Sequence, residues 1–258
     1  MFICTTTQVF ARILLLWVLW ISFTPVFGEE NRGEQIMKQV YAQLNKHPQM
    51  KLDIEMTLVN EQGSERHRLL TMWKKKQNEN SRVLIKFYSP ADIKGSSFLT
   101  ISSDGNSNNE QSMFLPALKR IIKISGNDKH KSFMGSDYSN DDVGGRTIVM
   151  DSHSLESETP KQCKVVSIPK DTDSPYKKLI NTIDCERMVL LSVEYYDANG
   201  LFKTLINKTI KNIEGMWMPM ESEMNQHKRK SYTIMKVSNT DTTVTIDDRF
   251  FSAKGLQQ

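Results

Sequence analysis

Residues 188–224, MVLLSVEYYDANGLFKTLINKTIKNIEGMWMPMESEM, carry the reading of the fold. Residues 188–196, 201–210 and 216–224 read as β-strands, in which successive side chains point to opposite faces. Between the first two runs stands Asp197-Ala198-Asn199-Gly200. Asn-Gly is a strong hairpin signal because it supplies the positive φ angles that a tight turn needs. In the third run Met216, Met218 and Met220 lie two residues apart, so a strand presents all three on one face.

The same rhythm extends to both sides. Leu52, Ile54, Met56 and Leu58 alternate with Lys51, Asp53, Glu55 and Thr57, and Asn60-Glu61-Gln62-Gly63 turns the chain into a second strand over 65–76. Further strands are expected over 82–89, stopped by Pro90, and over 97–101, 113–115 and 121–124, with an Asp104-Gly105 turn among them. Others are expected over 161–168, 179–184 and 231–237. About ten strands with short connections predict a mainly β protein, one large antiparallel sheet curling into a barrel or half-barrel. Residues 30–47 differ: Ile36, Met37, Val40, Tyr41 and Leu44 recur at helical spacing. His47-Pro48 ends that helix, since proline disfavours a helical residue before it.

Residues 1–28 differ in kind from the rest. Arg12 is the one charged side chain before Glu29, residues 13–23 are apolar apart from Ser22, and Val26-Phe27-Gly28 offers an exit of small or modest residues. This pattern predicts a cleaved secretory signal peptide, with 29–258 as a single domain uninterrupted by any Pro-, Gly- or Ser-rich linker. A retained anchor is the alternative, but the apolar core is about half the roughly 20 residues that a spanning helix needs. The formal charge of +4 is spread along the chain, with short clusters at Lys74-Lys75-Lys76 and Lys228-Arg229-Lys230. That is too dispersed for a nucleic-acid footprint; contact with anionic headgroups is the alternative to ordinary solvated faces. Cys4 departs with the signal. Cys163 and Cys185 remain, either as a disulfide suited to an oxidising compartment or as two buried thiols.

Nothing in the sequence demands an enzyme, a metal or a cofactor. The five histidines are scattered, and there is no HExxH, Gly-x-Ser-x-Gly or phosphate-cradling glycine loop. Asp137, Asp141 and Asp142 lack the ligand alternation of a calcium loop and read as solvated loop and cap residues. No nucleophile and base pair is visible, which disfavours a hydrolase. Methionine is the better clue. Met56, Met72, Met216, Met218 and Met220, with Ile54, Leu58 and Phe98, form a candidate apolar binding surface, because methionine is flexible and polarizable. Ordinary core packing is the alternative. Residues 125–145, SGNDKHKSFMGSDYSNDDVGG, exceed the roughly 12–15 residues beyond which structureless loops are uncommon. The embedded Phe133, Met134 and Tyr138 favour a folded lid, with Ser136 or Asp137 capping a short helix.

Residues 82–143 hold a denser pattern. It runs Phe87-Tyr88-Ser89-Pro90-Ala91-Asp92-Ile93-Lys94-Gly95, then Phe98-Leu99, then Phe114-Leu115-Pro116-Ala117-Leu118-Lys119-Arg120. Ile124-Ser125-Gly126 and Ser132-Phe133-Met134-Gly135-Ser136-Asp137-Tyr138-Ser139, with Asp141-Asp142, complete it. This resembles the LolA-like family of outer-membrane lipoprotein-sorting proteins, in the branch found beside exporters of the RND type. Tyr195-Tyr196-Asp197, Gly215-x-Trp217-x-Pro219 and Asp247-Asp248-x-Phe250 resemble the C-terminal half of that family, whereas Ser96-Ser97, Lys123 and Asn140 depart from its pattern. The resemblance implies a half-closed antiparallel barrel covered by helices, with an apolar cavity that takes lipid or lipoprotein acyl chains in the periplasm. It implies a monomeric carrier without cofactor, serving an RND-type inner-membrane exporter or an outer-membrane acceptor. Phe133 and Met134 would cover the mouth, with Asp137 and Tyr138 in the same lid. An accessory subunit of an envelope assembly, its core filled by its own side chains, is the alternative.

Overall fold

Side-chain alternation becomes a ladder in the computed structural model, which describes residues 1, 31–103 and 109–258. The expected signal peptide, Cys4 and the Asp104-Gly105 turn lie outside the described residues. After helix α1 (Arg32–Leu44) come β1 (Gln49–Val59), β2 (Glu65–Gln77), β3 (Asn80–Ser89), β4 (Ser97–Ser103), β5 (Glu110–Leu115) and β6 (Arg120–Ile124). A short helix α2 (Asn140–Gly144) precedes β7 (Asp151–Glu158), β8 (Gln162–Pro169), β9 (Lys178–Asp184) and β10 (Val189–Asp197). Then follow β11 (Gly200–Ile213), β12 (Met216–Gln226), β13 (Ser231–Asp241) and the closing helix α3 (Ala253–Gln257).

These thirteen described strands form one curved antiparallel sheet in the order β6-β5-β4-β3-β2-β1-β13-β12-β11-β10-β9-β8-β7. The chain starts in the middle, meanders out to β6, crosses to the opposite edge at β7 and meanders back until β13 pairs with β1. The sheet stays open, a half-barrel rather than a barrel. Residues 125–150 must therefore travel from one edge to the other.

They do so over the inner face. There Met50, Leu52, Ile54, Met56 and Leu58 of β1 join Leu70, Ile85, Phe87, Phe98, Val193, Tyr195, Met216, Met218 and Met224 in one buried cluster with Phe133, Tyr138 and Val143 of the crossing. Helix α1 covers the inner face of the C-terminal half, setting Ile36, Met37 and Val40 against Cys163, Val165 and Ile183. Its first turn lies so close to β7 that a Cβ on Gly33 would stand 2.5 Å from the Ser154 carbonyl carbon. Cys163 and Cys185 are joined as a disulfide beneath this helix, with Cα atoms 5.7 Å apart. On the outer face Leu84 and Leu99, which pair across β3 and β4, are covered by Ile246, Phe251 and Leu256 of the C-terminal segment.

Three local expectations need correction. The helix expected over 30–47 ends at Leu44, before the proline, because Asn45 leaves helical geometry at φ −108°. The Asp197–Gly200 hairpin forms, yet Gly200 (φ 117°) and not Asn199 supplies the positive φ, and the Asp197 carboxylate accepts from Asn199 N instead. Strand β7, DSHSLESE, was not expected at all. Its inward residues Asp151 and His153 are polar, so no apolar alternation announces it.

Candidate functional site

The crossing segment is a folded cover rather than a loop. Phe133 is fully buried, its ring centroid 5.8 Å from that of Phe87 and 5.2 Å from that of Phe98. Met134 packs on the same cluster, in left-handed geometry at φ 50°. The cap of α2 is neither Ser136 nor Asp137. Ser139 takes that role, accepting from Asp142 N while the Asp142 carboxylate accepts from Ser139 N. Such a box satisfies two orphan donors at a helix start.

Of the three carboxylates expected to be solvated, those of Asp137 and Asp142 are buried and that of Asp141 is largely covered. Asp137 accepts from Thr233 Oγ1 (2.7 Å), Ser231 Oγ (2.6 Å) and Arg229 Nη2 (2.8 Å). Asp142 pairs with Lys203 from β11, and both side chains are almost wholly enclosed. The ammonium also stands 4.7 Å from the Tyr195 ring and 5.1 Å from the Tyr176 ring. Burial opposes the Lys203 charge, but Asp142 and Tyr176 together outweigh it and hold the pKa above its ordinary value. Asp141 meets His130 Nδ1 at 3.2 Å and accepts from Gln111 Nε2 at 3.2 Å; burial raises its pKa against the pull of His130. Sequence reasoning missed this burial because every partner on the sheet lies far along the chain.

The end of the crossing is tied in the same way. Arg146 donates to both oxygens of Asp151, at 3.2 Å from Nε and 2.5 Å from Nη2. His153 meets Ser167 Oγ at 2.7 Å through Nδ1 and the Ile148 carbonyl at 3.0 Å through Nε2, while Asn181 Nδ2 donates to the same serine oxygen at 2.7 Å. This serine–histidine pair escaped the sequence reading. Both residues are buried, at 1% and 5% exposure, and neither lines the cavity described below. The carbonyl partner fixes the proton on Nε2, so Nδ1 accepts from the hydroxyl. Burial lowers the His153 pKa. The geometry is that of a structural tie. Among the described residues no group of three or more His, Cys, Asp or Glu is placed to hold a metal ion, and no helix is long and apolar enough to cross a membrane.

A cavity of about 460 Å³ opens where α1, the inner face of β2–β4 and residues 143–148 fail to meet. Met72 and Val83 form its floor, with Tyr41 and Leu44 of α1 on one side and Val143 and Ile148 of the crossing on the other. Gly144 brings α2 onto the sheet; a Cβ there would stand 2.6 Å from Gln111 Nε2. Lys38, Lys74, Lys76 and Arg146 also line the space. Lys74 Nζ donates to the Leu44 carbonyl at 2.9 Å, tying the end of α1 across the cavity to β2.

All eight residues singled out as a binding surface meet on the inner face, but one of them, Met72, lines this cavity. Ile54, Met56, Leu58, Phe98, Met216 and Met218 are buried in the packed cluster, and Met220 is partly buried against it. Phe133 and Tyr138 lie in that cluster too, with Met134 packed on it, so Phe133 plugs the interior while Val143, Gly144 and Gly145 reach the opening. The unexploited signal was Met72-x-Lys74-x-Lys76, an apolar-to-basic sequence on one strand face.

A family model described as "uncharacterized protein" matches residues 79–258. No curated protein matches the chain. Among solved structures, a domain described as outer-membrane lipoprotein-sorting from Vibrio parahaemolyticus is 25% identical and superposes with a TM-score of 0.82, over 88% of this chain and 98% of that one. A DUF1329 family protein from Desulfovibrio piger is 23% identical with a TM-score of 0.82, over 87% of this chain and 98% of that one. A LolA superfamily protein from Nitrosomonas europaea, 15% identical, shares the fold with a TM-score of 0.67 over 86% of this chain and 98% of that one. Matched over residues 79–258, the chain belongs to the family of that model, and its open sheet of thirteen described strands with an inner-face cover is the LolA-like fold, similar along nearly its whole length to the outer-membrane lipoprotein-sorting domain.

Proposed function

We propose that the protein is a periplasmic carrier that holds a lipid, or the acyl chains of a lipoprotein, between its sheet and its cover. The cavity of about 460 Å³ carries this reading, because its floor is apolar and its roof is built from two separable elements, α1 and the crossing segment. Its size falls in the range of roughly 300–1,000 Å³ typical of small-molecule sites. Each methylene taken from water contributes about 0.8 kcal/mol, so even a partly enclosed chain binds usefully. The mature chain, residues 29–258 after signal cleavage, would act as one monomeric domain. It would exchange cargo with an RND-type inner-membrane exporter or an outer-membrane acceptor.

A second reading has its own observation. Met56, Phe98 and Met216 are at most 1% exposed, the packing of a core filled by its own side chains, as an accessory subunit of an envelope assembly would have. Native mass spectrometry of the protein purified from its own envelope separates the two. The carrier is expected to bring a bound lipid mass that organic extraction removes; a persistently empty protein favours the accessory subunit.

A further inference from the structure

We propose that one end of the half-barrel, built from the turns after β1, β3, β5 and β12, docks on an anionic lipid surface. The inference goes beyond the carrier reading and does not depend on what the cavity holds.

Apolar surface and charge converge on that end. Antiparallel pairing puts the connections at 60–64, 90–96, 116–119, 170–177, 198–199 and 227–230 at the same end of the sheet. Of the seven large apolar side chains exposed among the described residues, five (Leu69, Tyr88, Leu118, Ile168 and Leu201) lie beside these connections. Three of the five are successive neighbours. Leu69 pairs with Ser89, which follows Tyr88 at the end of β3. The 90–96 connection then meets the turn that carries Leu118, where a Cβ on Gly95 would stand 3.3 Å from Pro116 Cγ.

Lys94, Lys119 and Arg120 border this stretch, and Lys228 extends it on the β12–β13 turn. All four are exposed, and among the described residues none of them is in an ion pair. Arg229 and Lys230 of the same turn are matched by Asp137 and Glu61 and add little. Residues 90–96 and 116–120 hold one acidic side chain, Asp92. The opposite end has the reverse sign: β5 begins at Glu110, β7, β9 and β13 end at Glu158, Asp184 and Asp241, and Glu79 and Glu214 occupy turns. A chain polarised in this way is oriented by an anionic surface. Apolar side chains interleaved with basic ones suit a headgroup layer, whereas the centre of a protein interface is depleted of charge. The cavity opens among Leu44, Lys76, Ser81 and Ser102, toward the acidic end, so a docked molecule presents its mouth to the aqueous side.

The test is co-sedimentation of the protein, purified from its own envelope, with vesicles of phosphatidylcholine alone and of phosphatidylcholine mixed with phosphatidylglycerol. Binding to the anionic vesicles should be tighter by about tenfold or more and should weaken with added salt. Lys119→Glu/Arg120→Glu should remove that advantage. Lys161→Glu/Lys211→Glu, the same change of charge toward the acidic end, should leave it in place. Thermal melts that match the wild type keep loss of folding out of the comparison. Brominated acyl chains should quench the emission of Leu118→Trp beyond that of the wild type. Equal binding to both vesicles, binding to neither, or equal losses in the two double variants overturns the docking surface. None of those results touches the carrier reading, which the bound lipid mass decides separately.

Discussion

Over the N-terminal half of the sheet the cover rests mainly on apolar contact, with Phe133 between Phe87 and Phe98. Over the C-terminal half it is fastened by buried charge: Asp142 to Lys203, Arg146 to Asp151, and Asp137 to Thr233, Ser231 and Arg229. The two kinds of contact behave differently. Apolar contact is non-directional, so it can part and re-form with modest displacement. A buried ion separated from its partner faces the full cost of desolvation. The cavity lies against β2–β4, on the greasy side. A cover that opens should therefore lift from β2–β4 while staying fixed to β11–β13.

The strongest way to break this contrast is at the ionic side. Lys203→Met leaves Asp142 buried without its partner and should cost about 3–5 kcal/mol. For a domain of this size thermal denaturation should fall on the order of 10 °C. The double variant Asp142→Leu/Lys203→Met should recover much of the loss, because an apolar pair removes the stranded charge. A single variant that melts with the wild type would show that the pair anchors nothing.

At the greasy side Phe133→Ala should cost about 3 kcal/mol, the lower end of the range for a buried phenylalanine, since the cover can settle into the space. Chemical denaturation measures that loss, and stopped-flow exchange of a bound lipid should be faster in the variant. Exchange that is slower or unchanged would place the moving edge elsewhere.

The smallest effect lies at the hem of the cover. Burial raises the folded-state pKa of Asp141, with His130 opposing, so folding favours its protonated form. The stability this residue permits is fully present below its unfolded pKa, about 3.9, and is lost as pH rises through the folded value. Asp141→Asn should therefore melt a few degrees above the wild type at pH 7 and together with it at pH 3. Coincident melts at both pH values would remove burial of Asp141 as a source of pH dependence.

Much of the fold was legible. The ranges expected as strands, put at about ten, fall on twelve of the thirteen described strands, and the cover was visible as residues 125–145, too long and too apolar at Phe133, Met134 and Tyr138 for an idle loop. The site was less so. The eight residues chosen for the cavity share the inner face, seven of them packed in or against the core cluster, while Met72 and the lysines two and four residues beyond it line the opening.

The strand ladder, with its placement of Met216, Met218 and Met220 on one face, was determined by the sequence itself, since it depends on neighbours a few residues apart. The tertiary structure decided what those faces meet. It placed β6 and β7 at opposite edges and so drew the crossing over the inner face. It brought Lys203 to Asp142, 61 residues away, and Asn181 to the Ser167 that supports His153 of the unannounced β7. Alternation follows from the geometry of a single strand; whether a charge can be buried, or a gap left open, depends on partners that only the strand order of the folded sheet supplies.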